Sequence, residues 1–165
     1  MPGLLGIPVL GLILMLQMAI ISRLNLLEGT ADLVMLFVIA WALQERVRSA
    51  WQWAIIAGLM VTFVSATPLF APFIGILLVT GVARLLRRQV WQTPILAMFV
   101  TTFVGTVIMQ GLYFFVLTTS GTTLSLQESL TLTTLPSALL NLILALPVYT
   151  LITDLANWVY PAEMV

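Results

Sequence analysis

Apolar runs follow one another along this chain, and every charged residue sits at the edge of one. A membrane-crossing helix needs about 20 apolar residues, within roughly 17–25. The first run, residues 4–21, ends at Ser22 and Arg23. The second, Leu33–Leu43, is too short alone and reaches span length only with the turn around Thr30. The third covers 51–66 and stops at Thr67-Pro68; the fourth, 72–86, is short and stops at Arg87-Arg88. The clearest is 94–117, and a sixth runs from about 136 to 156. The pattern predicts an all-α integral membrane protein, a bundle of about six transmembrane helices.

Composition fixes the solvent. Of 165 residues, 61% are apolar and 7% charged, against about 45–50% and 25% in soluble domains. No soluble fold of this size hides so much oil, so one membrane domain over 1–165 is expected. The opening stretch lacks a basic start and a small-residue cleavage site, and reads as a retained span rather than a removed signal peptide. Net charge is zero, which gives no argument for nucleic acid. Ionisable groups inside a bilayer usually mark pathways or sites; their absence at mid-depth argues for docking rather than pumping. Cys, His and Lys are all absent, which removes disulfides, thiolate metal sites and the commonest bases and nucleophiles. The expectation is a protein that is not an enzyme and carries no metal or cofactor.

Arginines orient the bundle, since cytoplasmic loops collect basic residues. Arg46 and Arg48 lie between runs two and three, and Arg84, Arg87 and Arg88 end run four. Six crossings put both groups and both termini on the cytoplasmic side, in an N-in/C-in arrangement. Trp41, Trp51, Trp53, Trp91 and Trp158 fall near that same face, where indoles suit headgroups. Arg23 dissents, facing outward. If Leu33–Leu43 entered and returned, all six arginines would share one side, so a re-entrant second segment stands as the alternative. The outer loops of the six-span arrangement are 22–29, 67–71 and 118–135.

Polar and small residues suggest how the spans pack. In lipid, helices associate through small residues that allow close approach. Ala54, Gly58, Thr62 and Ala66 recur every fourth residue, as do Ala97, Thr101 and Gly105, which predicts that the third and fifth spans cross closely. Pro136 suits a first helical turn, while Pro147 is interior and frees the carbonyl near Ile143. Asn141, between them, needs a partner on a neighbouring helix or lines a cavity. Gln17 and Gln110 fall in the outer half with Tyr113, where they pair between helices or shape a pocket. In the last outer loop, Ser125 and Glu128 fit a capping box for a short surface helix; its many threonines favour irregular backbone instead.

Few groups offer chemistry. Glu28 and Asp32 share a face if the helix reaches back that far; the expectation is a dipole-complementing N-terminus with Thr30 as cap, the alternative a metal or proton site. Glu45 and Arg46 belong to a solvated turn. Asp154, near the C-terminal end of the last span, opposes the helix dipole and is expected to pair with Arg46, Arg48, Arg87 or Arg88. The Arg84/Arg87/Arg88 cluster serves inside anchoring, or binds anionic lipid or a cytoplasmic partner.

Leu16-Gln17 late in the first span, the Thr30-Ala31-Asp32-Leu33-Val34-Met35-Leu36 start of the second, and the final 135–149 stretch with Pro136, Asn141 and Pro147 are similar to the MreD family of rod shape-determining membrane proteins. Gly58-Leu59-Met60-Val61 departs from that family, which often places Asp where Thr62 stands. The resemblance implies a non-enzymatic scaffold of the bacterial elongation complex in the inner membrane, supporting cell shape and peptidoglycan synthesis. Its implied partners are MreC and, more widely, RodA, a penicillin-binding transpeptidase and MreB. The family fold is related to substrate-binding S components of energy-coupling-factor vitamin transporters, and an S component is the alternative function.

Overall fold

The structure is a computed structural model that describes residues 5–19, 23, 25–65, 70–89, 93–123 and 125–161. It is helical apart from one small ribbon. Helix α1 (Gly6–Ala19) leads to β1 (Asn25–Leu26) and β2 (Gly29–Thr30), then α2 (Leu33–Leu43), α3 (Ala50–Val64), α4 (Ala71–Gln89) and α5 (Pro94–Thr119). A single turn, α6 (Leu126–Glu128), runs through a π-helical stretch (Ser129–Thr134) into α7 (Leu135–Val159). Two stretches, Pro94–Thr119 and Leu126–Val159, are long and apolar enough to cross a membrane. The apolar helices α1, α2 and α3 are shorter.

Helix α2 is the axis of the fold. Its side chains are apolar apart from the indole N–H of Trp41, and a helix that is apolar all round has to be enclosed. It packs against α1, α3, α4, α5 and α7, and every residue from Val34 to Leu43 is buried. At 1.5 Å per residue it is about 16 Å long, roughly half a hydrocarbon core of about 30 Å.

Side-chain contacts fix the chain direction. Gly6 of α1 lies against Trp53 of α3, whereas Gln17 reaches Val34 at the start of α2. The Gln44 amide donates to Thr153 of α7 at 2.9 Å, and the Tyr160 hydroxyl to Ser49 at 3.0 Å. Arg84 and Arg87 of α4 reach the same 44–49 loop. That loop, the basic end of α4 and the end of α7 therefore share one pole. The ribbon and the start of α7 lie toward the other, and successive main helices alternate in direction.

The ribbon replaces the helical extension expected around Thr30. Asn25 pairs with Thr30 and Leu26 with Gly29, antiparallel. Leu27, first of the two turn residues, has φ 56°, a left-handed conformation usually given to Gly. Gly29 is demanded by contact: a Cβ there would lie 2.6 Å from the Ser137 nitrogen and 2.7 Å from the Pro136 Cβ. Pro136 has no N–H to offer the Leu132 carbonyl four residues earlier. The Glu28 N–H, from the ribbon turn, takes that carbonyl at 3.1 Å.

Several sequence expectations need correcting. Helices α3 and α5 do not cross closely. Helix α4 lies between them, so Gly58 faces Phe73 and Gly105 faces Val79 of α4 and Ile39 of α2; Ala66 lies outside the described residues. Trp41 and Trp53 form no headgroup belt. Both are fully buried and stacked 4.2 Å apart, with Phe37 5.7 Å from Trp53, because α2 carries Trp41 into the core. Trp51 and Trp158 are exposed, and Trp91 lies outside the described residues. The last loop is shorter than 118–135, since helix runs to Thr119 and resumes at Leu126. Ser125 precedes that helix, but its side chain caps nothing. The threonines do not unwind the segment: Thr131 and Thr134 donate back to the Gln127 and Ser129 carbonyls.

Candidate functional site

A helix that begins inside a protein leaves N–H groups that water cannot reach. Here the Asp32, Val34 and Met35 N–H groups each find a different side-chain partner. The Asp32 carboxylate accepts from the Met35 N–H at 2.9 Å, making Asp32 the N-cap in place of the expected Thr30. The Gln17 Oε1, from α1, accepts from the Val34 N–H at 3.0 Å. The Asn141 Oδ1, from α7, accepts from the Asp32 N–H at 2.8 Å. The Ser137 hydroxyl accepts from the Thr30 N–H at 3.1 Å and from the Gln110 amide at 3.3 Å. Asn141 completes the set by donating from Nδ2 to Thr106 of α5 at 2.9 Å. The Thr106 hydroxyl in turn donates to the Thr102 carbonyl.

Thus Gln17, Asp32, Gln110 and Asn141, far apart in sequence, converge on one helix start. They line a cavity of about 140 Å³ together with Thr30, Thr106 and Tyr113. Pro136 stands beside it, seating Gly29. The Asp32 carboxylate also suits the positive end of the α2 dipole. Glu28 lies apart in the ribbon turn rather than on a shared helix face. Among the described residues no three His, Cys, Asp or Glu side chains gather as metal ligands. Ser137 and Thr106 were not singled out by sequence, because lone hydroxyls are common in apolar helices and carry no signal of their own.

The opposite pole is basic. Arg84 donates to the Val47 carbonyl at 2.8 Å, and Arg87 to the Gln44 carbonyl at 2.9 Å. Two of the clustered arginines therefore hold the α2–α3 loop, while Arg46, Arg48 and Arg88 are exposed. Asp154 is exposed and, among the described residues, pairs with none of the arginines expected for it; its neighbour Thr153 is the residue that turns inward to Gln44. The Thr62 hydroxyl folds back onto the Gly58 carbonyl of its own helix at 2.7 Å. Pro147 sits on the exposed side of α7, inside the helix, and the Thr150 hydroxyl donates to its carbonyl at 2.9 Å.

This arrangement fixes backbone: three of its side-chain oxygens, from Gln17, Asp32 and Asn141, accept from the amides that open α2, and the space left is small. No family model, no curated protein and no solved structure matches the chain.

Proposed function

We propose that the chain is a multi-pass membrane scaffold of the MreD type, working in the bacterial elongation complex by docking MreC. In this reading α1, the ribbon with α2, α3, α4, α5 and α7 make six passages, with the basic pole in the cytoplasm. The second passage is completed by the ribbon, since α2 alone is too short. The oily exterior supports a lipid setting: Phe63, Ile143 and Met15 are each at least 70% exposed, and soluble monomers rarely show large contiguous apolar patches.

The observation that carries docking over solute binding is the size and occupation of the polar cavity. Small-molecule sites run about 300–1,000 Å³; this one holds about 140 Å³, and Gln17, Asp32 and Asn141 in its wall already hydrogen-bond the start of α2. An S component needs a larger, aromatic-walled chamber. The test is affinity purification from native membrane in mild detergent. Recovery of MreC, and more weakly of RodA and its transpeptidase, is expected. Recovery of an ATPase pair with a coupling subunit would overturn the assignment.

A further inference from the structure

Four of the six arginines converge on one surface groove. Arg48, Arg84, Arg87 and Arg88 line it with Glu45, Val47, Trp51, Gly81 and Leu85. Two guanidinium groups are held in advance, because Arg84 and Arg87 each spend one N–H on a loop carbonyl. A guanidinium fixed this way loses little further freedom when an anion arrives, and its planar fork matches phosphate oxygens. One carboxylate, Glu45, faces the four cations, so the groove is strongly positive.

Its floor is apolar and continues along the protein. Gly81 leaves room over the Trp51 ring, which lies 3.7 Å from where a Cβ would stand. Trp51 and Leu85 are about half or more exposed. Below them Ile55 and Leu59 follow Trp51 at four-residue spacing on α3, and Ile74 and Leu78 precede Gly81 on α4; all four are exposed. Since Trp51 meets Gly81 across the α3–α4 seam, these rows run side by side away from the arginines. A charged mouth joined to a long oily track matches a molecule with a phosphate head and fatty tails.

We propose that this groove binds an anionic diacyl phospholipid, its phosphate among Arg48, Arg84, Arg87 and Arg88 and its acyl chains along the α3–α4 seam. The proposal rests on the membrane setting proposed above. The test uses the whole chain, purified in a neutral detergent and titrated with dioleoyl phosphatidylglycerol, dioleoyl phosphatidylcholine or inorganic phosphate, with bound lipid counted by native mass spectrometry. Saturable binding of phosphatidylglycerol is expected, with phosphatidylcholine at least tenfold weaker and inorganic phosphate unable to compete at equal concentration.

Arg48→Gln and Arg88→Gln, which leave the loop contacts in place, should each weaken phosphatidylglycerol about fivefold, and together about 25-fold. Arg46→Gln, outside the groove, should change affinity less than twofold. Gly81→Leu, which fills the floor without altering charge, should also reduce binding. Equal affinity for both lipids, as expected if the groove receives an acidic segment of a protein, overturns the proposal. So does an Arg46→Gln effect as large as that of Arg48→Gln, or competition by inorganic phosphate. A chain that stays soluble and monodisperse without detergent overturns the membrane setting instead.

Discussion

Asn141 offers the sharpest test of how α2 is held. Its two hydrogen bonds do different work: Oδ1 satisfies the Asp32 N–H, and Nδ2 ties α7 to Thr106 of α5. Asn141→Ala removes both and leaves the Asp32 N–H bare in a site only 2% exposed at Asn141. An orphaned buried donor costs about 1–3 kcal/mol. An interhelical side-chain bond in a membrane bundle contributes about 0.6 kcal/mol on average and at most about 1.7. The expected loss is therefore about 2–5 kcal/mol. Thr106→Val removes the second bond together with the hydroxyl's own donation to the Thr102 carbonyl; the latter cancels in the double-mutant cycle, which leaves a coupling of about 0.6–1.7 kcal/mol. The assay is unfolding in mixed micelles at rising fractions of denaturing detergent, followed by the near-UV signal of the stacked Trp41 and Trp53. Asn157→Ala, at an exposed position of the same helix, is the control and should be near neutral. If Asn141→Ala costs no more than Asn157→Ala, the polar cluster does not secure α2 and the reasoning fails.

Gly29→Ala should undock the ribbon, because the added methyl meets backbone and a proline ring rather than a movable side chain; a loss of about 1–3 kcal/mol is expected, with faster amide exchange at Glu28 and Thr30. Gly111→Ala, on the open side of α5 with nothing within 4 Å, should stabilise by about 0.5–1 kcal/mol through helix propensity, measured in the same unfolding assay. Gly58→Ala gains the same propensity but drives a methyl to 2.8 Å from the Phe73 ring, so its net effect should be destabilising; stabilisation comparable to that of Gly111→Ala would show that α3 and α4 are not packed as described. Pro136→Ala supplies an N–H that competes with Glu28 for the Leu132 carbonyl, and exchange protection at Glu28 should fall.

The long helices were readable from residue type alone. Residues 94–117 match Pro94–Thr119, where Pro94 opens a long apolar run; residues 136–156 fall inside a longer helical stretch that already begins at Leu126. The apolar run Leu33–Leu43 coincides with α2, but the extension expected through Thr30 is a ribbon, and the place of the helix was not legible. An apolar run reads the same whether lipid or protein surrounds it, so nothing in the sequence told a central helix from a peripheral one. That ambiguity explains the misplaced indoles, since Trp41 goes wherever α2 goes. It explains the small-residue stripes too: spacing says that a face permits close approach, not which helix will approach it. The ribbon was hidden for a local reason. Its turn puts Leu27 where Gly is normally found, so the usual hairpin signal is missing. Gln17, Asp32, Gln110 and Asn141 were each visible as polar residues in apolar surroundings, but their meeting depends on that ribbon delivering α2 to mid-bundle.

The hydrogen bond from Asn141 to the start of α2 also has a consequence for biogenesis. The amide of Asp32 waits 109 residues of synthesis for its acceptor. In the membrane setting proposed above, an eleven-residue segment is a poor independent passenger for insertion, and until α7 emerges the Asp32 amide lacks its acceptor. The nascent chain therefore finishes its own middle last.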